Sequence, residues 1–253
     1  MGEVAYVEKL EGLPLVVYIT LNNENLDRKQ FMESQFNHYG IKHKAFLTER
    51  LFNMQDVNIT GTPIDNNESG ICISHLNCMK AWYDSCDDDT VIFCEDDISF
   101  ESIDYWNFTW NEFVNSLPES WECVQLIRIV SPAEDYNLVE PLQSLDLKWG
   151  RWWGASSLMK RSYVKKVLDR HILDSNVYLM GLPEIGIMPI VENILFVGLG
   201  ATYNYPLLVE GESLDSTMKH INYASEEDYI KDKQHHIMSR KMIMDCWKQN
   251  FRE

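Results

Sequence analysis

Glu95, Asp96 and Asp97 follow directly on Val91-Ile92-Phe93-Cys94, an apolar run of the kind that forms a buried strand. Ligands of open α/β sheets bind at the carboxyl ends of strands, so an acidic tripeptide at this place is a candidate site. In extended backbone, residues i and i+2 point the same way, which predicts that Glu95 and Asp97 converge while Asp96 turns aside. Three adjacent carboxylates repel one another and call for a neutralising partner. Their hard oxygens suit Mg2+ or Mn2+, ions that bridge two phosphates and stabilise a departing diphosphate. A solvated acidic turn is the competing reading. Asp87-Asp88-Asp89, between a helix and a strand, reads as such a turn.

The elements around this motif alternate. Leu15 to Leu21 is a β-branched run suited to a strand buried on both faces, and Asn22, Asn23 and Asn25 follow as a turn. A helix is predicted from Leu26 to Tyr39, with Met32, Phe36 and Tyr39 on one face and Gly40 closing it. A second strand over Ile41 to Phe46, a loop over Thr60 to Asn67, and a helix over Glu68 to Ser85 come next. Then come the strand Thr90 to Cys94, a helix over Trp106 to Leu117, a strand over Cys123 to Val130, and a helix capped by Ser162 and running to Arg170. Tyr203 to Val209 reads as an edge strand interrupted by Pro206, and Glu226 to Phe251 as a polar helix with His235 and His236 on its surface. This order predicts an α/β fold with a mainly parallel central sheet. One domain over 1–225, with the helix of 226–253 packed on it, accounts for the length.

Composition narrows the function. The 253 residues carry 39 Asp and Glu against 22 Lys and Arg, a net charge of −17. That argues against a nucleic-acid binder, which needs a basic footprint, and against a polybasic attachment to anionic lipid. The six cysteines form no C-x-x-C pair, so a zinc site is not expected. Met1 to Lys9 lacks a basic n-region, and the apolar run Leu13 to Leu21 is too short to span a bilayer. A cytoplasmic protein with reduced thiols is the expectation.

Three blocks, in order, resemble glycosyltransferase family 25, the lipooligosaccharide-biosynthesis and collagen-galactosyltransferase family. Val17-Tyr18-Ile19-Thr20-Leu21, with Arg28 in the next helix, is similar to the family's opening V-Y-x-I-N-L and its Arg-bearing helix. Glu68-Ser69-Gly70-Ile71-Cys72-Ile73-Ser74-His75 is similar to E-x-G-C-x-x-S-H, with the Cys one place later. Val91 to Ile98 is similar to L-I-L-E-D-D-V. Weaker similarity continues through Gly154 to Leu168, through Ile190 to Phe196, where Glu192 stands in place of the family's Asp, and through Pro206 to Glu210 with Ser216.

The resemblance implies a GT-A type (Rossmann-like) nucleotide-sugar-binding fold and an inverting, metal-dependent transfer of a hexose. The donor would be a UDP-sugar, most often UDP-galactose, the cofactor Mn2+ (or Mg2+), and the acceptor a glycan or a hydroxylated group. It casts Asp97 and then Glu95 as metal ligands, with His220 either reaching the metal or the diphosphate or standing as a lone surface histidine, and Asp96 on ribose or sugar hydroxyls. Thr20, Leu21 and Asn22 end the first strand and line the nucleoside pocket, although Asn22 also suits a plain turn. Arg28 pairs with a phosphate or with a carboxylate of its own helix. Ser74 and His75, near the start of their helix, bind phosphate or ribose, or else His75 is a packed histidine that holds a loop. Glu192 is the candidate base and Glu184 the runner-up, the latter equally suited to complement a helix dipole. Trp152 and Trp153, between Gly150 and Gly154, stack on an acceptor sugar or belong to the core. Two other readings compete: a catalytically silent glycan-binding relative, and a nucleotidyltransferase. The latter is disfavoured because Asn22-Asn23-Glu24-Asn25 has neither the glycines nor the cation of a phosphate loop.

Overall fold

The computed structural model describes residues 4–22, 26–51, 54, 56–61, 66–130, 143–144, 154–182, 190–211 and 225–250. A seven-stranded sheet runs through the molecule. Its first three strands are β1 (Val16–Leu21), β2 (His43–Thr48) and β4 (Thr90–Glu95). β1 lies between β2 and β4 and is parallel to both, with Val16 opposite His43 on one side and Ile92 on the other. β8 (Ser156–Lys160) is antiparallel to β4 and to β6 (Cys123–Gln125). β11 (Thr202–Asn204) continues parallel to β6, and β7 (Gln143–Ser144) closes the order β2-β1-β4-β8-β6-β11-β7. Five strands therefore share one direction and β8 and β7 oppose it. The fold is α/β with a mainly parallel central sheet.

Alternation along β1 and β4 divides their side chains between two cores. Val16, Tyr18, Ile92 and Cys94 face one side, where α2 (Leu26–Tyr39) buries Met32, Phe36 and Tyr39. Val17, Ile19, Val91 and Phe93 face the other, where α3 (Asn66–Ser85) buries Cys72, Ile73, Leu76 and Met79. The first core also takes α4 (Trp110–Ser116) and α7 (Glu226–Asn250), and the second takes α5 (Arg161–His171) and α6 (Val191–Phe196). Both sheet faces are thus covered, which is why β1 and β4 read as unbroken apolar runs. Smaller pieces complete the fold: α1 (Val4–Lys9), the three-stranded sheet of β3 (Asn58–Thr60), β10 (Val177–Leu179) and β9 (Ile172–Asp174), and the pair β5 (Ile98–Ser99) with β12 (Val209–Glu210).

Several elements differ from the sequence expectation. The helix expected over Trp106 to Leu117 is shorter, α4 from Trp110 to Ser116, because Thr109 and Glu112 form a reciprocal capping box that starts it at Trp110; a separate 3-10 turn at Glu101–Tyr105 precedes it. α5 begins one residue before the expected cap Ser162, with Lys160 at its N-cap. The segment Tyr203 to Val209 holds parts of two strands in two different sheets, with Pro206 between them. All six cysteines are free thiols. Among the described residues, no helix is long and apolar enough to cross a membrane.

Candidate functional site

Because β1, β2 and β4 are parallel, their carboxyl ends meet at one edge of the sheet. Leu21, Thr48 and Glu95 are the last residues of the three strands. An open cleft lies over this edge, with about 690 Å3 of free space including its mouth. Thr20, Leu21, Arg28, Ser74, His75, Glu95 and Asp96 all line it. Parallel pairing thus brings residues from four separate elements to one place, where ligands of open α/β sheets bind.

Asp96 is the hub. Its Oδ2 accepts from the Thr20 hydroxyl at 2.5 Å, and its Oδ1 accepts from Arg28 Nη1 at 2.6 Å. Arg28 Nη2 donates in turn to Asp97 Oδ2 at 2.9 Å. The guanidinium fork thus spans two adjacent carboxylates, a geometry that a lysine does not reproduce. Arg28 and Asp96 are buried. Burial pushes the Asp96 carboxyl up from its ordinary value, against the Thr20 hydrogen bond and the Arg28 charge. Asp97 is pushed up to about 7, first by burial and then by Glu95, Glu210 and Asp96, with Arg28 opposing.

This arrangement corrects the expected alternation. β4 ends at Glu95, and Asp96 and Asp97 form a turn, so the rule for extended backbone does not carry across them. Glu95 and Asp96 line the cleft, and Arg28 joins Asp96 to Asp97. Thr20 and Arg28 act first on Asp96. Asn22 is exposed and lies outside the cleft lining, where its N–H extends the β1–β2 ladder by donating to the Thr48 carbonyl at 2.7 Å.

Ser74 and His75 are also displaced from their expected place. The helix starts at Asn66 rather than Glu68, which sets both residues more than two turns from its N-terminus. Asn66 and Asn67 take the place at that end and line the cleft. The Ser74 hydroxyl donates to the Gly70 carbonyl at 2.8 Å, so the Thr48 hydroxyl, also 2.8 Å away, is the donor in their contact. His75 is buried with Nε2 3.2 Å from Glu95 Oε1, beneath the carboxylate that it orients.

Glu192 sits in the first turn of α6 and accepts from the Gly154 N–H at 3.3 Å through Oε1. Burial raises its pKa, with its own N–H and that of Gly154 opposing and the charges of Glu95 and Glu68 adding to the rise. Glu192 itself is not among the residues that line the cleft. Glu184, His220, Trp152 and Trp153 lie outside the described residues.

The sequence reading missed Thr48 and Arg50, which line the cleft from the end of β2. The signal was available: had the strand been carried through Thr48, its carboxyl end would have fallen beside that of β1. It also set His236 on the surface. In the structure His236 is partly buried, with Nδ1 2.9 Å from a carboxylate oxygen of Glu210. Among the described residues, no three His, Cys, Asp or Glu side chains gather into a group that would hold a metal by themselves.

No family model matches the chain, and no curated relative matches its sequence. Among the solved structures that resemble it, two resemble it weakly over most of its length. A197 from STIV is 11% identical, with a TM-score of 0.39 over 83% of this chain and 100% of that one. A glycosyltransferase involved in the glycosylation of the major capsid of PBCV-1 is 8% identical, with a TM-score of 0.36 over 88% of this chain and 98% of that one.

Proposed function

We propose that this chain is a glycosyltransferase of the family 25 type, moving a hexose from a UDP-sugar, galactose first among the candidates, to a glycan or hydroxylated acceptor with inversion. The observation that carries the reading is the acidic turn 95–97 at the end of β4. It is braced by Arg28, and its Glu95 and Asp96 line a cleft at the ends of three parallel strands, with Asp97 outside that lining and joined to it through Arg28. Resemblance of the motif blocks to the family adds to it.

The donor chemistry of Glu95 and Asp97 fits a hard divalent ion such as Mn2+ or Mg2+. Asp96 has both oxygens engaged by Thr20 and Arg28, whereas Arg28 takes only Oδ2 of Asp97. Two carboxylates suffice where substrate phosphates complete the shell, the usual mode for Mg2+. Held by Glu95 and Asp97, such an ion would supply charge stabilisation to the leaving diphosphate. His75 orients Glu95, and Arg28 keeps Asp96 and Asp97 from repelling one another. Arg50 brings a second cation to the cleft rim for phosphate. Glu192 takes the proton of the acceptor hydroxyl as its oxygen bonds to the anomeric carbon and the bond to the diphosphate breaks. Its raised pKa makes it a stronger base than an ordinary glutamate.

The test is a thermal-shift and titration-calorimetry screen of UDP, UDP-galactose and UDP-glucose, with Mn2+ and with chelator. Metal-dependent stabilisation by a uridine diphosphate sugar, lost in Asp97→Ala with the fold retained, is the expected result. Absence of any shift with all nucleotide sugars, metal present, overturns the reading.

A further inference from the structure

The acidic turn has a second side that the cleft does not reach. Directly after Asp97 the chain forms β5, which pairs antiparallel with β12, Ile98 opposite Glu210 and Ser99 opposite Val209. Beyond this short ladder, the Gly211 N–H donates to the main-chain carbonyl of Asp97 at 2.6 Å.

β12 is gripped in turn by α7. His236 Nδ1 lies 3.0 and 2.9 Å from the two carboxylate oxygens of Glu210. Arg240 Nε donates to the Glu210 carbonyl at 2.8 Å, and its Nη2 donates to the Glu101 carboxylate in the 3-10 turn after β5. The helix thus holds both the strand paired with β5 and the segment that follows it. It is itself well anchored. Ser239 Oγ accepts from the Val130 N–H at 2.6 Å, Trp247 Nε1 donates to the Pro206 carbonyl at 3.1 Å, and Ile243, Met244 and Trp247 are buried in the first core.

We propose that His236 and Arg240 are positioning residues for the donor site: through Glu210 they fix the Gly211–Asp97 hydrogen bond, and with it the turn that presents Glu95, Asp96 and Asp97. No described residue of α7 lines the cleft, so the influence is indirect, through β12 and, by way of Arg240 and Glu101, through the 3-10 turn after β5. Supports behind a binding group matter because small displacements of its oxygens weaken what they hold. The functional consequence rests on the donor-site reading above; the mechanical linkage does not.

Three variants of the full chain separate this role from general support: His236→Ala, His236→Asn and Met244→Ala. The asparagine amide stands close to the place of Nδ1 and still donates to Glu210. Met244→Ala loosens the α7 packing without touching Glu210. Amide hydrogen exchange over residues 95–99 and 209–211 is read by mass spectrometry, and UDP binding with Mn2+ by calorimetry. Expected are faster exchange at both segments and about tenfold weaker UDP binding in His236→Ala. His236→Asn returns both toward the parent values, and Met244→Ala lowers the melting temperature with neither effect. Unchanged exchange in His236→Ala, or equal acceleration in Met244→Ala, overturns the linkage. Faster exchange with unchanged UDP affinity overturns its connection to the donor site. A parent protein that does not bind UDP refutes the donor-site reading instead, and exchange alone then decides the linkage.

Discussion

Arg28 Nη1 stands 2.6 Å from Asp96 Oδ1, and each side chain is less than a tenth exposed. An ion pair this deep is costly to break from one side, because the surviving charge has no water to turn to. Arg28→Ala is expected to lower stability by about 3–5 kcal/mol. That corresponds to about 2–4 °C in melting temperature for each kcal/mol in a chain of this size. Adding Asp96→Asn should recover part of the loss, since the orphaned charge is then removed. Arg28→Lys keeps the charge but not the fork, and should fall between the two. A scanning-calorimetry series checks all three, and an additive double variant would argue against a coupled pair.

Gly154 faces Val191 across a gap with no room for a side chain. A Cβ built there would lie 2.4 Å from Val191 Cγ1 and 3.1 Å from Val191 Cβ. The same glycine donates its N–H to Glu192, so one residue both admits α6 and seats its carboxylate. Gly154→Ala is expected to cost about 1–3 kcal/mol by overpacking. It should also reduce turnover more than donor affinity, because what moves is the proposed base, Glu192. Thermal unfolding beside single-turnover kinetics reads both effects.

Glu192→Gln keeps the shape of the side chain and removes its basicity. Turnover is expected to fall by about 100-fold or more, with UDP affinity unchanged. In the parent protein, burial raises the Glu192 pKa above the ordinary 4.5. The acid limb of the kcat profile should therefore be displaced upward by the same cause, and it should vanish in the glutamine variant. An unchanged rate would move the proton acceptor to another group, Glu184 first.

The pairing of His236 with Glu210 should be visible in stability against pH. Burial pulls the His236 pKa down, but the hydrogen bond and charge of Glu210, with Asp232 and Asp97 adding, raise it above 6.5 overall. A histidine with a raised folded pKa contributes stability that is complete below the unfolded value and is lost as pH rises through the folded one. The melting temperature should fall on going from about pH 6 to about pH 8, by the worth of a partly buried pair, about 1 kcal/mol. His236→Asn should flatten that part of the curve. An identical slope in the variant would assign the dependence to other groups.

Legibility in the sequence followed the physics of each element. β1, α2, α3 and β4 were readable because apolar runs and helical spacing record burial on two faces, and all four lie close to their expected bounds. The acidic turn stood out because three carboxylates after a buried strand need a partner. That the partner is Arg28, 68 residues earlier, is set by tertiary packing and leaves no local trace. β8 was not expected, because its five residues are Ser156-Ser157-Leu158-Met159-Lys160, with little β-branched character. His236 was misplaced for a similar reason: a polar residue on a polar helix reads as solvated until Glu210 is seen opposite.

β8 also shapes how this chain can come together as it leaves the ribosome. β2, β1 and β4 are complete once residue 95 has emerged, and each already has its parallel neighbour. β6 follows by residue 125, yet both its partners, β8 and β11, are still unsynthesised. Until residue 160 is made, the growing chain carries a finished half-sheet with an open edge at β4 and a solitary strand with nowhere to dock. Such unpaired edges are where nascent chains associate wrongly. β8 is thus the keystone of assembly, fitted late between two halves. Residues 126 to 160 are the stretch of synthesis over which neither that edge nor β6 has a partner.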